Sequence, residues 1–185
     1  MKRTVSTSSG GLQYDLIRTT HNEARVLALP GGEVRLYAPA GLSLKDADAL
    51  VRQNAQALCA RCAALDAPVT GVPGAAEQLM AAAQERIMQR LEYFHAHIGG
   101  QYTSVSASEL GIKWGACSHA HELSFNWRLI LAPEEALDYV VIHELCHLHE
   151  FSHSSRFWRM VQKHMPEYEA WKKWLSDHKQ ELLSV

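Results

Sequence analysis

The stretch from Pro133 to Glu150 has the marks of one α-helix and carries His143-Glu144-Leu145-Cys146-His147 inside it. Pro133 suits a first helical position, and Glu134-Glu135 follow where acidic groups favour the helix dipole. At 3.6 residues per turn, His143 and His147 stand about 40° apart around the axis and one turn apart along it, so both imidazoles can reach one metal ion. Glu144 lies about 100° from His143, a poor direction for a third ligand on that ion. It is a suitable one for taking a proton from water that the ion activates. Without Glu144 such a site could still bind metal, but turnover should collapse.

A catalytic zinc usually has three protein ligands. His149 is two residues past His147, about 200° around a continuous helix, and faces elsewhere. Glu150 shares the face of His147 but would crowd the ion from the same helix. His153 lies past the expected helix end, where Ser152 and Ser154 permit a turn that returns its imidazole, and it is the third ligand predicted here. Its distance from His147 is that of the extended pattern H-E-x-x-H-x-x-G-x-x-H, with Glu150 in place of the glycine. The ion is expected to be Zn2+, although the ligand set also suits other divalent metals that accept imidazole.

The 185 residues are 47% hydrophobic, enough for one core or two small subdomains. A formal net charge of -2 gives no global field for nucleic acid or an anionic membrane. No stretch is apolar enough to span a bilayer, and no apolar run follows Lys2-Arg3 to make an export signal. The expectation is a cytoplasmic protein without a membrane partner, whose four cysteines are reduced thiols.

Along the chain, residues 1–11 are rich in Ser, Thr and Gly and read as a disordered lead-in. Residues 12–72 read as a hairpin-and-helix subdomain. Arg25–Leu29 and Glu33–Tyr37 alternate around Pro30-Gly31-Gly32, and a helix opens at Ser43 with Asp46 as its capping pair and runs to about Leu65. Asp66–Gly74, with two prolines and two glycines, breaks regular structure. Residues 73–185 read as the metallohydrolase domain. It comprises a long amphipathic helix from Gly74 to Ile98, strands at Tyr102–Val105 and Leu123–Leu129, the helix of the motif, and helices at Ser155–His164 and Pro166–Leu183.

Other patterns carry less. Cys59-Ala60-Arg61-Cys62 has no partner pair and lies within a helical stretch. Glu92…His95 and Glu144…His147 fit the Glu-x-x-His pairs of a di-iron bundle, but the strand-like segments argue against four bare helices. Arg156, Arg159 and Lys163 form a basic stripe, either a solvated face or a site for phosphates or a nucleic-acid backbone beside the metal. Trp158, Trp171 and Trp174 are expected to anchor the C-terminal helices.

The runs Lys113-Trp114-Gly115-Ala116-Cys117-Ser118, Leu123–Leu129, His143–His147 and His153-Ser154-Ser155-Arg156-Phe157-Trp158 together resemble the YgjP-like family of zincin metallopeptidase domains. Lys113 and Ala116 stand where Arg and Ser are common. The more distant SprT-like proteases have a similar His followed four residues later by Phe, matching His153 and Phe157. The resemblance implies an α+β, zincin-like fold: a small, mostly antiparallel sheet, an active-site helix and C-terminal helices. It also implies a strand beside the cleft that pairs with extended substrate, at Leu123–Leu129. The expected function is a zinc metallopeptidase with Glu144 as general base, acting on peptide or protein. The alternative is a UTP pyrophosphatase, a label that some family members carry, with Arg156 and Arg159 on the nucleotide. A non-catalytic zinc-stabilised module is the third reading. Asn126, His119 and His121 are candidates for stabilising an oxyanion, and Asn126 for touching substrate. No chemical role for Cys117 follows.

Overall fold

A computed structural model of the chain describes residues 1–7, 10–19, 23–65 and 76–184. Backbone contacts divide the chain into two compact units, Met1–Ala67 and Pro68–Val185. The breaker stretch 66–74 lies outside the described residues except as the place where this division falls.

The first unit is a four-stranded sheet with two helices. Its strands are β1 (Lys2–Thr7), β2 (Gly10–Thr19), β3 (Arg25–Leu29) and β4 (Glu33–Pro39), in the order β1-β2-β4-β3. The expected disordered lead-in is instead β1, antiparallel to β2 with Val5 opposite Leu12. Ser and Thr tolerate extended backbone, and burial of Val5 (3% exposed) anchors the strand, a gain that composition alone does not reveal. The 25–37 hairpin forms as expected around a 3-10 turn in which Gly31 and Gly32 take positive φ. In register, Val5, Tyr14, Leu16, Val34, Leu36 and Ala38 share a face and are buried. The helix expected from Ser43 to Leu65 is two, α1 (Leu44–Gln53) and α2 (Ala55–Leu65). Asn54 parts them, its side-chain amide donating to the Leu50 carbonyl at 2.8 Å. The Asp46 amide donates to Ser43 Oγ at 3.1 Å, the expected cap. Asp48 of α1 ties to the sheet, accepting from Arg3 through both oxygens and from the Tyr14 hydroxyl at 2.7 Å.

The second unit holds α3 (Ala76–Ile98), β5 (Ser104–Ser108), β6 (Gly115–Cys117), β7 (Glu122–Asn126), a 3-10 helix (Trp127–Leu131), α4 (Glu134–His147), α5 (Ser155–His164), α6 (Tyr168–Asp177) and α7 (Lys179–Leu183). Its sheet has the order β5-β7-β6, with β5 parallel and β6 antiparallel to β7. The strand expected over Leu123–Leu129 ends at Asn126, where the chain turns into the 3-10 helix. Every residue from Ala136 to Ile142 is buried, so α4 is the centre of the unit and shows no amphipathic stripe. It packs against α3, α5, α6 and β6. Arg90 of α3 pairs through two nitrogens with Asp138 of α4, at 2.5 and 2.7 Å, with the Asp138 side chain 6% exposed. The mixed sheets and helices exclude a di-iron bundle. No described helix is long and apolar enough to cross a membrane.

Candidate metal centre

α4 places His143 and His147 one turn apart, and the chain then folds back so that His153 joins them just before α5. His143 Nε2 lies 3.1 Å from His147 Nε2 and 2.9 Å from His153 Nε2. This is the one cluster of His, Cys, Asp and Glu ligand atoms among the described residues that could hold a metal, all its atoms lying within 4.8 Å of one another. Both contacts converge on His143 Nε2, which has a single proton or a single lone pair and so cannot make two ordinary hydrogen bonds, whereas a cation between the three nitrogens takes a lone pair from each. Tetrahedral zinc at about 2.0–2.1 Å from each nitrogen separates them by about 3.3 Å, within a few tenths of what is found. His147 Nδ1 spends its proton on the Glu150 carbonyl at 3.0 Å, which leaves Nε2 as the free lone pair. Burial, then the neighbouring His147 and His153, lower His143 to about 3. Burial also lowers His147. Both rings are therefore neutral, the state a metal needs.

The alternatives for the third position go elsewhere. His149 bonds the Ile98 carbonyl at 3.1 Å, and the Glu150 carboxylate accepts from Ser152 Oγ at 2.6 Å. Glu150 replaces the motif glycine without strain, because among the described non-glycine residues only His121 has a positive φ. Ser154 caps α5, accepting from the Phe157 amide at 3.4 Å, and Phe157 stacks on His147 with ring centres 4.5 Å apart. Trp158, expected as a core anchor, is half-buried and stacks on His153 at 5.6 Å, while Trp171 and Trp174 are buried.

Glu144 points from α4 toward β6. It is 4% exposed, and its Oε2 has no hydrogen-bond partner among the described residues. Burial raises it to about 8, against a smaller opposing pull from Lys113. A Cβ at Gly115 would stand 2.6 Å from Glu144 Oε1, so only glycine lets the strand lie this close to the carboxylate. That requirement was not read from the Trp114-Gly115 run. Cys117, two residues on, is half-buried; burial and then the Glu144 charge push its thiol up to about 11, leaving it an inert thiol at neutral pH.

Two sequence expectations change here. Asn126, a candidate for substrate and for an oxyanion, is fully buried, donating to the Gly111 and Lys113 carbonyls at 3.3 and 3.1 Å and accepting from the Arg128 amide at 3.1 Å. It secures the 111–114 loop below β6 and has no face toward a cleft. The strand holding Leu123 to Asn126 is the middle of its sheet, bonded on both sides, so it cannot receive a substrate strand. Of the sheet's two edges, β5 and β6, it is β6 that lies against Glu144. The Trp114 carbonyl and the Ser118 amide bond toward β7, so by alternation the backbone groups of Gly115 and Cys117 point outward. Arg156 and Arg159 are exposed on the outer side of α5 opposite buried Phe157 and Val161, as a solvated stripe would be. Cys59 and Cys62 lie on α2, the first of them exposed.

The sequence model of the YgjP-like family, metallopeptidase domain, matches residues 70–178. The chain belongs to that family. The YgjP-like match takes in all three histidines, Glu144 and β6, and leaves out the first unit. It makes this a metallopeptidase-type hydrolase domain, a type that works with a divalent metal. Among solved structures, the metallopeptidase zymogen abylysin of Pyrococcus abyssi is 28% identical with a TM-score of 0.45, over 52% of this chain and 94% of that one. No curated protein matches significantly.

Proposed function

We propose that this protein is a zinc-dependent peptidase in which His143, His147 and His153 hold the ion and Glu144 is the general base. The observation that carries this reading is the meeting of three Nε2 atoms next to a buried carboxylate with an unpartnered oxygen. A zinc ion held there supplies a Lewis acid for a substrate carbonyl and an acidified water. With the ion in place, its positive charge would oppose the effect of burial and keep Glu144 ionised, and Glu144 would take a proton from the attacking water at a carboxylate oxygen and deliver it to the departing amine nitrogen. Its burial excludes bulk water from the transfer, and Gly115 allows the approach. The outward amide and carbonyl groups of Gly115 and Cys117 align an extended peptide by strand addition, with its scissile bond opposite Gly115. His147 is held in its ligand tautomer by the Glu150 carbonyl.

Hydrolysis of a nucleoside triphosphate is a second reading. It is favoured by Lys172, whose charge acts on His143, and by Lys113, whose charge acts on Glu144, as well as by Arg156. The deciding experiment sets zinc-loaded protein and its Glu144→Gln variant against an unstructured protein and against UTP. Peptide fragments that vanish in the variant while zinc stays bound support the peptidase. Phosphate or pyrophosphate release with the same dependence replaces it with the nucleotide hydrolase. Any activity that survives Glu144→Gln removes the general-base assignment, and a protein inert in both assays is left as a zinc-stabilised module.

A further inference from the structure

Phe151 sits on the loop between His147 and His153 and is 40% exposed. It does not stand alone. The His119 ring lies 4.7 Å from it, tilted by 36°, and the His121 ring meets it edge-on at 5.8 Å. Both histidines belong to the turn that leaves β6 and enters β7. This turn directly continues β6, so a chain that pairs with Gly115 and Cys117 and extends past Cys117 runs toward it, within a few residues at about 3.3 Å per residue.

The turn is built to hold this arrangement. His121 takes a left-handed φ of 60, a conformation that costs a non-glycine residue energy and persists only where surroundings impose it. Its amide donates to the Ser118 carbonyl at 2.9 Å, and its Nδ1 lies 3.0 Å from the Gln101 carbonyl. On its other side, His121 lines an open cavity of about 630 Å³ together with His95 and Tyr102, room enough for a large side chain to pass the platform.

We propose that Phe151, His119 and His121 form a substrate subsite that receives an aromatic side chain of the peptide, at one position on the Cys117 side of the cleaved bond. The proposal rests on the peptidase reading above and adds its specificity. An aromatic occupant fits because Phe151, His119 and His121 present rings in both tilted and edge-on orientations, against which a further ring gains more than burial alone. Continuity with the outward edge of β6 marks the occupant as part of the substrate chain.

The test uses the full-length, zinc-loaded protein on a peptide library randomised around the cleaved bond, with products sequenced by mass spectrometry. Aromatic residues are expected to be enriched at a single position two to four residues from that bond. For a matched pair of peptides, one aromatic and one alanine at that position, Phe151→Ala is expected to lower kcat/KM on the aromatic peptide by about five- to tenfold. Cleavage of the alanine peptide stays within about twofold, and Phe151→Tyr restores the preference. His119→Ala is expected to act in the same direction. Cleavage without aromatic preference, or equal losses on both peptides, overturns the subsite and leaves the peptidase standing. Failure of the unmodified protein to cleave any peptide overturns both.

Discussion

Substitution of Gly115 by alanine separates catalysis from folding. The new Cβ stands 2.6 Å from Glu144 Oε1, 2.8 Å from its Cγ and 2.9 Å from its Cδ, where ordinary contact starts near 3.4 Å. The carboxylate must therefore retreat by about 0.8 Å. Overpacking of this kind costs about 1–3 kcal/mol. The lower end applies because the displaced atoms end a flexible side chain and Gly115 needs no left-handed backbone. A domain stable by about 5–15 kcal/mol remains almost wholly folded after losing 1 kcal/mol. Misplacing a reacting group by about 1 Å, in contrast, costs about 100-fold in rate. The expected result is a kcat/KM on peptide down by about two orders of magnitude, with a small shift in the urea midpoint and zinc content unchanged. Gly41→Ala, which meets nothing within 4 Å, serves as the neutral control. Retention of more than half the activity refutes the reasoning, because the carboxylate would then not be working from its place against Gly115. Parallel loss of zinc refutes it differently, by showing that the effect passes through the ligands.

Other consequences are as direct. Asn126→Ala removes a buried side chain and its three hydrogen bonds to the Gly111 and Lys113 carbonyls and the Arg128 amide, and is expected to cost about 1–3 kcal/mol in urea unfolding; a change below about 0.5 kcal/mol contradicts the assigned role. The Arg3 guanidinium, then the Tyr14 hydroxyl, hold Asp48 at about 2, below its ordinary 3.8. Because the folded value is the lower one, this stabilisation is complete above pH 3.8 and is lost as pH falls toward 2. Urea midpoints of the wild type and Asp48→Asn should therefore converge over that range, and a constant gap argues against the pair as the cause. Zinc at about 100 times its dissociation constant should stabilise the second unit by about 2.7 kcal/mol, raising Tm by roughly 10 °C over the chelated protein. Identical melting curves in zinc and chelator would exclude a metal bound at the histidine cluster.

Local periodicity made the helices legible in the sequence, and spacing pointed to His143, His147 and the outlying His153 as one cluster without knowledge of the tertiary fold. Ser43 and Asp46 marked a helix start, and Gly31-Gly32 a hairpin, because these signals act within a few residues of themselves. The breaker at Asn54 escaped notice because an asparagine that caps one helix onto the next looks like any polar position in a longer one. The lead-in escaped for a related reason: Lys2–Thr7 becomes a strand only by pairing with β2 and burying Val5.

What only the tertiary structure decided is which parts lie beside the histidine cluster and Glu144. Strand order cannot be read from strand content, so Leu123–Asn126 looked like the edge that meets a substrate although β5 and β6 close it on both sides. The three-residue β6 was hidden in a turn-rich stretch, because its hydrogen bonds come from Leu123–Phe125 and not from its own composition. Asn126 carried the chemistry of a substrate contact, and its burial converts that chemistry into support for a loop. Helix and motif depend on neighbours in the chain, and one sequence determines them. Edges, close approaches and buried polar bonds depend on neighbours in space, so folding had to bring Gly115 against Glu144 and Phe151 against His119 before their roles could be seen.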